Sequence, residues 1–396
     1  MPIPSPFHSR TAGLCESHEW RNWSGYLAAG VYEPTHECEY YAIRNSAALI
    51  DVSPLFKYEF HGPDAGRAAN RIITRDAWSM TPGKVIYTPW CDDDGKVIDD
   101  GTLACLEADR YRFTAAEDNY AWFQDCCFGL DVEIRDVTEN LAALAVQGPS
   151  SRRLLERVLT GVDLSALRYY HLAKATLDGL PLVISRTGYT GDLGYELWLS
   201  PEDAGQVWDR LMEAGQALGV LPAGILALDI ARIEAGLVML QVDYISARKA
   251  LIEAQKSSPY EIGMGWAVKL EKGDFIGRKA LQKEKQAGSR WALVGLEVDW
   301  TSIENVYGRY DLAPQIAGRA SRLAVPVYQG NRHIGQATSH TFSPLLKGYI
   351  ALATVETRYT KPNGPVQLEI TVEYVRHTVY ARIVALPFLN LARKRA

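Results

Sequence analysis

Short landmarks recur in this 396-residue chain at a nearly constant spacing, and this recurrence constrains the fold more than any other feature. Each landmark is a pair of neighbouring residues that returns 84 to 86 positions later, in the same order. Chance can produce one such coincidence, whereas three together indicate two related halves. The pairs are Gly62-Pro63 with Gly148-Pro149, Asp94-Gly95 with Asp178-Gly179, and Glu117-Asp118 with Glu202-Asp203.

The hydrophobic pattern around these landmarks predicts the same order of elements twice. In each half a strand runs into the Gly-Pro turn, and a helix, further strands and a second helix follow. This order is typical of split β-α-β lobes, so the sequence predicts an α+β fold class. Outside the repeats, residues 1–30 read as irregular, residues 246–256 as a charged helix and residues 263–270 as extended chain.

The pattern changes after residue 286, where short strands separated by Gly, Asn and Pro predominate. Six such strands between Trp291 and Val384 predict a compact antiparallel β-barrel. We therefore predict two domains. Residues 1–285 form a region of two interleaved α/β lobes, and residues 286–396 form the C-terminal barrel.

Composition excludes several classes of function. The net charge of −5 and the pI of about 6.0 argue against nucleic acid as a partner, because phosphate backbones call for a basic face. No apolar run approaches the roughly 18 residues that span a bilayer, and the first residues lack the features of a signal peptide. The six cysteines form no C-x-x-C pair. These observations predict a cytoplasmic protein with no membrane partner.

The sequence also lacks the motifs of three common enzyme classes. Its eight histidines do not form H-E-x-x-H or the spacings of zinc ligands, so no metal site is predicted. It has no G-x-S-x-G nucleophile elbow, and no G-x-G-x-x-G lies between an early strand and a helix. Hydrolase, metalloenzyme and dehydrogenase functions are therefore disfavoured.

The Gly-rich stretch Arg186–Glu196 joins two apolar runs and carries three glycines at a spacing of three. Polar or aromatic side chains, among them Tyr189 and Glu196, project from it. Such a loop can hold a flat, polar ring system, although a decorated hairpin turn explains the same residues. It is not a phosphate loop, because no Gly-Lys-Ser/Thr follows and because it leads into a strand.

A pair of carboxylates, Asp99 and Asp100, lies on a predicted strand after Val97-Ile98. Alternation along a strand places one of the two on the core or cleft side and the other outward. A half-buried aspartate requires a hydrogen-bond or ion-pair partner, or else has a catalytic or binding role. The alternative is a strand-end aspartate that only accepts hydrogen bonds from the backbone.

Longer motifs occur in the order that is seen in the glycine-cleavage T-protein (aminomethyltransferase) superfamily. The chain resembles this family from about Phe7 to Val384, and the motifs are specific when taken together. The family also includes folate-dependent demethylases of sulfonium, amine and aryl methyl ether compounds, whose branch this chain resembles. The motifs are Tyr87-Thr88, Gly95-x-Val97-Ile98-Asp99-Asp100, Leu144-x-Val146-Gln147-Gly148-Pro149, the stretch Arg186–Glu196, Arg232-Ile233-Glu234-Ala235-Gly236-Leu237, Gly263-x-Gly265-Trp266-Ala267-Val268-Lys269, Gly273-Asp274-Phe275-Ile276-Gly277-Arg278 and Gly335-x-x-Thr338-Ser339-x-Thr341-Phe342-Ser343-Pro344.

The resemblance implies a three-lobed, cloverleaf-like enzyme with tetrahydrofolate in a central channel. It places Asp100 at the position of the family's catalytic aspartate. Tyr189 is a second candidate catalytic residue, since an aryl methyl ether needs a proton donor to its leaving group. Tyr195 and the histidines are alternatives for that role. The cofactor-binding residues implied in this way are Glu196, Tyr189, Arg232, Tyr87 and Trp266.

Elementary chemistry agrees with two of these assignments. A reduced pterin presents an amino group and a ring N–H side by side, and one carboxylate such as Glu196 can accept from both. The glutamate tail of folate is anionic, so Arg232 or Arg358 could pair with it. For Arg232 the competing role is an ion pair with Asp229 or Glu234 on its own helix.

Departures from the T-protein pattern shift the predicted substrate. They are Leu228-Asp229, His340 and Pro89-Trp90-Cys91. We therefore expect transfer of a methyl group from a small methylated donor to N5 of tetrahydrofolate. The alternative is the aminomethyltransferase of glycine cleavage, which acts on an aminomethyl-lipoyl carrier protein. A non-catalytic folate-binding protein is a third possibility, disfavoured because Asp100 is present. A homodimer is also considered.

Overall fold

A computed structural model describes residues 1–395 of the chain. The chain divides into two compact units. The first comprises Met1–Thr88, Asp99–Ala231 and the segment from Leu391 onward, and the second comprises Pro89–Ile98 and Arg232–Asn390. The predicted boundary between residues 285 and 286 stays a prediction.

The N-terminal residues are more regular than predicted. They form a three-stranded sheet in the order β1-β3-β2, with a short helix α1 between its first two strands. Phe7 is fully buried, and its ring lies 5.9 Å from that of Trp208. The expectation of an irregular segment over residues 1–30 was wrong, because the pairing with distant residues is not visible in local patterns. The elements are β1 (Ile3–Pro4), α1 (His8–Thr11), β2 (Glu19–Trp23) and β3 (Tyr26–Val31).

The first repeat forms a five-stranded sheet in the order β6-β7-β8-β5-β9. It is preceded by a helix and a strand that belongs to the sheet of the second repeat. The elements are α2 (Glu37–Asn45), β4 (Ala48–Asp51), β5 (Phe56–His61), α3 (Ala65–Ile72), β6 (Val85–Cys91), β7 (Val97–Glu107), β8 (Arg110–Ala115), α4 (Tyr120–Cys126) and β9 (Glu133–Asp136).

The second repeat forms a seven-stranded sheet in the order β11-β12-β13-β14-β10-β4-β15. Its apolar core includes Leu144, Ile184 and Leu197 together with Trp208 of the covering helix α6. The elements are β10 (Ala142–Gln147), α5 (Ser151–Leu155), β11 (Leu159–Thr160), β12 (Leu172–Leu177), β13 (Leu180–Ser185), β14 (Gly194–Leu199), α6 (Ala204–Gly215) and β15 (Leu221–Pro222).

The duplication predicted from the landmarks is confirmed by the sheet orders. In each sheet three successive strands lie side by side (β6-β7-β8 and β12-β13-β14), and the third is next to the strand that opens the repeat. The repeated glycine has a physical reason. Gly62 and Gly148 have φ angles of +132° and +131°. A Cβ atom on either would lie 2.7 Å from the Asp131 carbonyl oxygen or 2.6 Å from that of Ser46, so only glycine fits.

The second unit contains the predicted barrel. Six strands close in the order β16-β19-β18-β17-β20-β21, with antiparallel pairing throughout, so no strand edge is left open. The elements after β15 are α7 (Ile225–Glu234), α8 (Arg278–Ala287), β16 (Trp291–Val298), α9 (Trp300–Gly308), β17 (Val325–Gln329), β18 (Arg332–Ser343), β19 (Gly348–Glu356), β20 (Pro365–Val372) and β21 (Val375–Val384).

Two local predictions in this unit were wrong. Residues 246–256 form turns and one 3-10 turn, not a helix, because their backbone pairs with the first residue of β7. The N–H of Ala247 donates to the Val97 carbonyl at 2.8 Å. Residues 263–270 contain 3-10 turns instead of a strand, with Gly263 at a φ of +77°. Among residues 1–395, no helix has both the length and the apolar composition that spanning a membrane requires.

Candidate functional site

A narrow cavity in the first unit lies between strands of the two repeats. Its walls are formed by alternate residues of β7 and β8 from the first repeat and of β13 and β14 from the second. Thr102 and Ala104 of β7 line one wall, and Glu196 and Trp198 of β14 line another. Because side chains alternate along a strand, Asp100 projects from the same face of β7 as Thr102. Glu196 lines this cavity, whereas Asp100 lies next to its β7 wall, two residues before Thr102, and is not one of the lining residues.

The two neighbouring aspartates on β7 have different environments. Asp99 is fully buried and accepts hydrogen bonds from Asn119 Nδ2 at 2.9 Å and from the N–H of Glu117 at 3.1 Å. Burial, with the charge of Asp100 beside it, raises the pKa of Asp99 well above its usual range. Asp99 is thus the aspartate held by backbone and amide donors, and Asp100 projects from the opposite face of β7, the face of Thr102.

Asp100 is held by a phenol from the neighbouring strand. The hydroxyl of Tyr87 donates a short hydrogen bond to Asp100 Oδ2. Burial raises the pKa of Tyr87 well above 10, and the charge of Asp100 adds to this effect. The phenol therefore stays protonated at neutral pH and remains a donor to the carboxylate.

The carboxylate of Glu196 has few hydrogen-bond partners for a half-buried carboxylate. It is half-buried, and within residues 1–395 the hydroxyl of Thr187 is its one hydrogen-bond donor, at 2.5 Å. Burial raises the pKa of Glu196, and the bond from Thr187 opposes that rise. Most of the acceptor capacity of this carboxylate is therefore left for a ligand with N–H or O–H groups.

Tyrosines lie near both carboxylates. The pKa of Tyr87 is also raised by Tyr189 and Tyr170, whereas that of Tyr170 is raised by burial, by Tyr169 and by the charge of Glu196. Tyr170 has a φ of +59°, and its carbonyl accepts from the N–H of Val85 at 2.9 Å, which ties this turn to β6. Our sequence reasoning did not find Tyr170, although two adjacent aromatic residues just before a strand are a signal that could have identified it.

The glycines of the stretch Arg186–Glu196 are explained by one buried side chain. Gln147 Nε2 donates to the carbonyls of Thr187 and Tyr195, both at 3.2 Å. A Cβ atom on Gly188 or Gly194 would lie 2.1 or 2.2 Å from Gln147 Oε1. Two of the three glycines are therefore needed for packing against Gln147.

Three of the polar residues on this stretch have partners within the protein. Asp192 accepts from Arg393 Nε at 2.7 Å and from Arg44 at 3.3 Å. Arg186 donates to the carbonyl of Leu167 at 3.1 Å, and the hydroxyl of Tyr195 accepts from Arg152. The decorated-turn interpretation suits these residues. It does not suit Glu196, which faces the cavity.

The remaining two predicted cofactor residues belong to the second unit. The side chain of Arg232 is fully buried and donates to Asp243 Oδ2 at 2.6 Å and to Ser339 Oγ at 2.8 Å. Trp266 lies on a 3-10 turn and is 54% exposed. Their cofactor roles stay predictions. No group of three or more His, Cys, Asp or Glu side chains within residues 1–395 could hold a metal ion.

Two family models match the chain. The model described as the GCVT N-terminal domain matches residues 7–272, and that of the glycine cleavage T-protein C-terminal barrel domain matches residues 313–390. The chain belongs to the glycine cleavage T-protein family. The predicted family is thereby confirmed. Members of this family use tetrahydrofolate, and this chain is accordingly a member of a family of folate-dependent enzymes.

Relatives of this T-protein family member align with 93–96% of its sequence. An aminomethyltransferase of Halothermothrix orenii is 36% identical over 382 residues, which cover 96% of each chain. A trimethylamine-oxide aldolase of Ruegeria pomeroyi is 34% identical over 93% of this chain and 45% of its own. The crystal structure of glycine cleavage system aminomethyltransferase T from Bartonella henselae superposes with a TM-score of 0.82 at 22% identity, covering 98% of this chain and 99% of that one. The predicted α+β fold with a C-terminal barrel is confirmed by this match.

Proposed function

We propose that this protein transfers the carbon of an aminomethyl group to tetrahydrofolate, giving methylenetetrahydrofolate and ammonia. The observation that supports this most is that Glu196 lines a cavity between strands of the two repeats, with Asp100 two residues before Thr102 on the β7 wall of that cavity. The relatives named aminomethyltransferase favour the aminomethyl alternative over the methyl-donor prediction.

Glu196 is our candidate for holding the pterin. Its half-buried carboxylate accepts one internal hydrogen bond and has capacity for the paired N–H donors of a pterin ring. Tyr170 supplies aromatic surface near Glu196, and Tyr189 lies near Tyr87. Tyr87 is proposed to contribute by fixing Asp100, and Arg232 and Trp266 stay candidate folate-binding residues.

Asp100 is our candidate catalytic residue. A fixed carboxylate stabilises positive charge that develops on nitrogen and carbon as the donor's carbon–heteroatom bond breaks. The bond from Tyr87 fixes the orientation of Asp100 before substrate binds. In the proposed reaction the carbon leaves its sulfur and its nitrogen and bonds to the two folate nitrogens. The two protons released from these nitrogens balance the thiol and the ammonia that form.

The departures that favoured a methyl donor have a structural explanation. Trp90 and Cys91 are fully buried, and Leu228 is buried on α7. His340 Nδ1 accepts from the hydroxyl of Tyr349 at 2.5 Å, and its Nε2 donates to the carbonyl of Leu323 at 3.1 Å. Because these residues are occupied in packing and internal hydrogen bonds, they give little support to a different substrate.

The test is to identify the product formed from each class of donor. The purified full-length chain is incubated with tetrahydrofolate and either an aminomethyl-loaded lipoyl carrier protein or a panel of sulfonium, quaternary amine and aryl methyl ether donors. We expect methylenetetrahydrofolate and an equal amount of ammonia only when the donor is the aminomethyl-loaded carrier protein. Formation of 5-methyltetrahydrofolate from the panel, with no product from the carrier, would overturn the proposal.

A further inference from the structure

The carboxylate of Glu196 lies at the end of a chain of three hydrogen bonds. The indole Nε1 of Trp198 lies 3.1 Å from Ser185 Oγ, and Ser185 Oγ lies 2.7 Å from Thr187 Oγ1. Thr187 Oγ1 is in turn 2.5 Å from Glu196 Oε2. Trp198, Ser185 and Thr187 are all at most 7% exposed, so water does not compete for these bonds. We call these three residues the Glu196 relay.

The direction of the relay is fixed at its far end. An indole N–H can only donate, so Ser185 Oγ is the acceptor of that bond. The single proton of Ser185 is then available for Thr187 Oγ1, and the single proton of Thr187 for Glu196 Oε2. Each hydroxyl thus accepts from one side and donates to the other. Glu196 is left as the final acceptor, which is the role of an ionised carboxylate.

We propose that Trp198, Ser185 and Thr187 are positioning residues that keep Glu196 an ionised acceptor, so that this end of the cavity selects ligands with N–H donors. The inference rests on the proposed function in so far as Glu196 contacts the folate ring. It goes beyond that function by assigning the selectivity of the site to three residues that need not touch the ligand.

The relay is needed because the other surroundings disfavour the charge on Glu196. Burial raises its pKa, and no cation within residues 1–395 pairs with it. The phenols of Tyr169 and Tyr170 face it from the turn before β12. Arg112 of β8 lines the same cavity, but it donates to Glu59 Oε1 at 3.0 and 2.8 Å, so its charge is already balanced. The bond from Thr187 is therefore the main interaction that favours the ionised form.

The experiment compares two substitutions in the same loop. Thr187→Val removes the donor to Glu196 with little change of shape. Thr190→Val is the matched control, because the hydroxyl of Thr190 is equally buried but donates to Gln147 Oε1 at 2.8 Å. The full-length variants are titrated by infrared difference spectroscopy of the carboxylate band, with Glu196→Gln used to assign the Glu196 signal. No folate is present in this measurement.

We expect Thr187→Val to move the protonation midpoint of Glu196 upward by about one pH unit, since a hydrogen bond to a charged group is removed. Ser185→Ala should produce a smaller upward shift, and Trp198→Phe the smallest. Thr190→Val should leave the midpoint unchanged, and Thr187→Ser, which keeps the hydroxyl, should retain the wild-type value. As the pH is lowered, Thr187→Val should lose binding of 5-formyltetrahydrofolate at a higher pH than the wild type does.

An unchanged Glu196 midpoint in Thr187→Val would overturn the inference, as would an equal shift in Thr190→Val. If Thr187→Val does not fold, the midpoints of Ser185→Ala and Trp198→Phe decide the question by the same criterion. Failure of the proposed function gives a different result: Glu196→Gln would then bind 5-formyltetrahydrofolate as tightly as the wild type, whatever the midpoints are.

Discussion

Each repeat carries one of the two candidate carboxylates, and the two are held in different ways. In the first repeat Asp100 receives a hydrogen bond from the phenol of Tyr87 and lies next to a second buried acid, Asp99. In the second repeat Glu196 receives its one bond from a hydroxyl that is itself fixed by Ser185. The acids also occupy different strands of the two meanders: Asp100 is on the middle strand β7, and Glu196 is on the last strand β14.

This difference suggests a division of roles. The hydrogen bond from Tyr87 fixes the orientation of Asp100, which suits a place where positive charge develops in a reaction. Within residues 1–395 Glu196 accepts one hydrogen bond and has acceptor capacity left, which suits ligand binding. We therefore propose a reactive acid in the first repeat and a binding acid in the second.

The largest expected effect separates these roles directly. Asp100→Asn keeps the shape and removes the charge, so we expect the turnover rate to fall by about 10³-fold while the Kd for tetrahydrofolate changes less than about threefold. Steady-state kinetics and equilibrium binding measure the two quantities. Asp93→Asn, in the exposed turn before β7, is the control and should be fully active. An active Asp100→Asn enzyme would remove this residue from catalysis.

Replacement of the glycine in the Gly-Pro turn should destabilise the protein by a similar amount in either repeat. Gly148→Ala places a Cβ 2.6 Å from a carbonyl oxygen at a φ of +131°, and Gly62→Ala at 2.7 Å and +132°. We expect each to lower the free energy of unfolding by about 3 kcal/mol, measured by urea denaturation. Gly308→Ala, with no atom within 4 Å of the new Cβ, is the control. A loss in only one of the two turns would show that the repeats are not equivalent there.

Glu196→Gln should weaken folate binding more than it slows turnover, which is the reverse of Asp100→Asn, and its effect should be smaller. Glu196→Gln should raise the Kd for tetrahydrofolate about 30-fold, because the amide turns part of the acceptor into a donor. In the wild type, protonation of Glu196 should weaken folate binding as the pH falls. Since burial raises its pKa, this should begin above the ordinary value of 4.5. Glu202→Gln, on an exposed turn, is the control, and equal affinities of both variants would contradict the assignment.

The smallest expected effect concerns the partner of the reactive acid. Tyr87→Phe removes the hydroxyl that orients Asp100, so we expect the turnover rate to fall about tenfold with little change in stability. The same measurement on Tyr111→Phe, another buried phenol of this repeat, should give a much smaller loss. Equal losses in both variants would indicate a general packing effect.

Repetition and local alternation made part of the architecture predictable. The Gly-Pro landmarks identified the two repeats because the backbone there has no room for another residue. Alternation along β7 predicted that one of the two acids lies on the core or cleft side, and Asp99 is fully buried whereas Asp100 is half-buried. The short strands after residue 286 identified the barrel because their turn residues are local signals.

The rest depended on contacts between residues far apart in the sequence. Residues 246–256 have helical composition, yet their backbone pairs with the first residue of β7. Asp192 is fixed by Arg393, which follows it by 201 positions, so no local pattern could identify the pair. The Glu196 relay could have been found in part, since Trp198 lies two residues after Glu196 on the same face of β14.

We propose that Asp100 and Glu196 bind opposite sides of one folate molecule. The decisive measurement is a crystal structure of the full-length protein with 5-formyltetrahydrofolate. We expect the pterin amino group and ring N–H to donate to the carboxylate of Glu196, with the N5 side of the ring toward Asp100. A folate bound with its pterin ring away from Glu196, or with Asp100 out of reach of the ring, would contradict it.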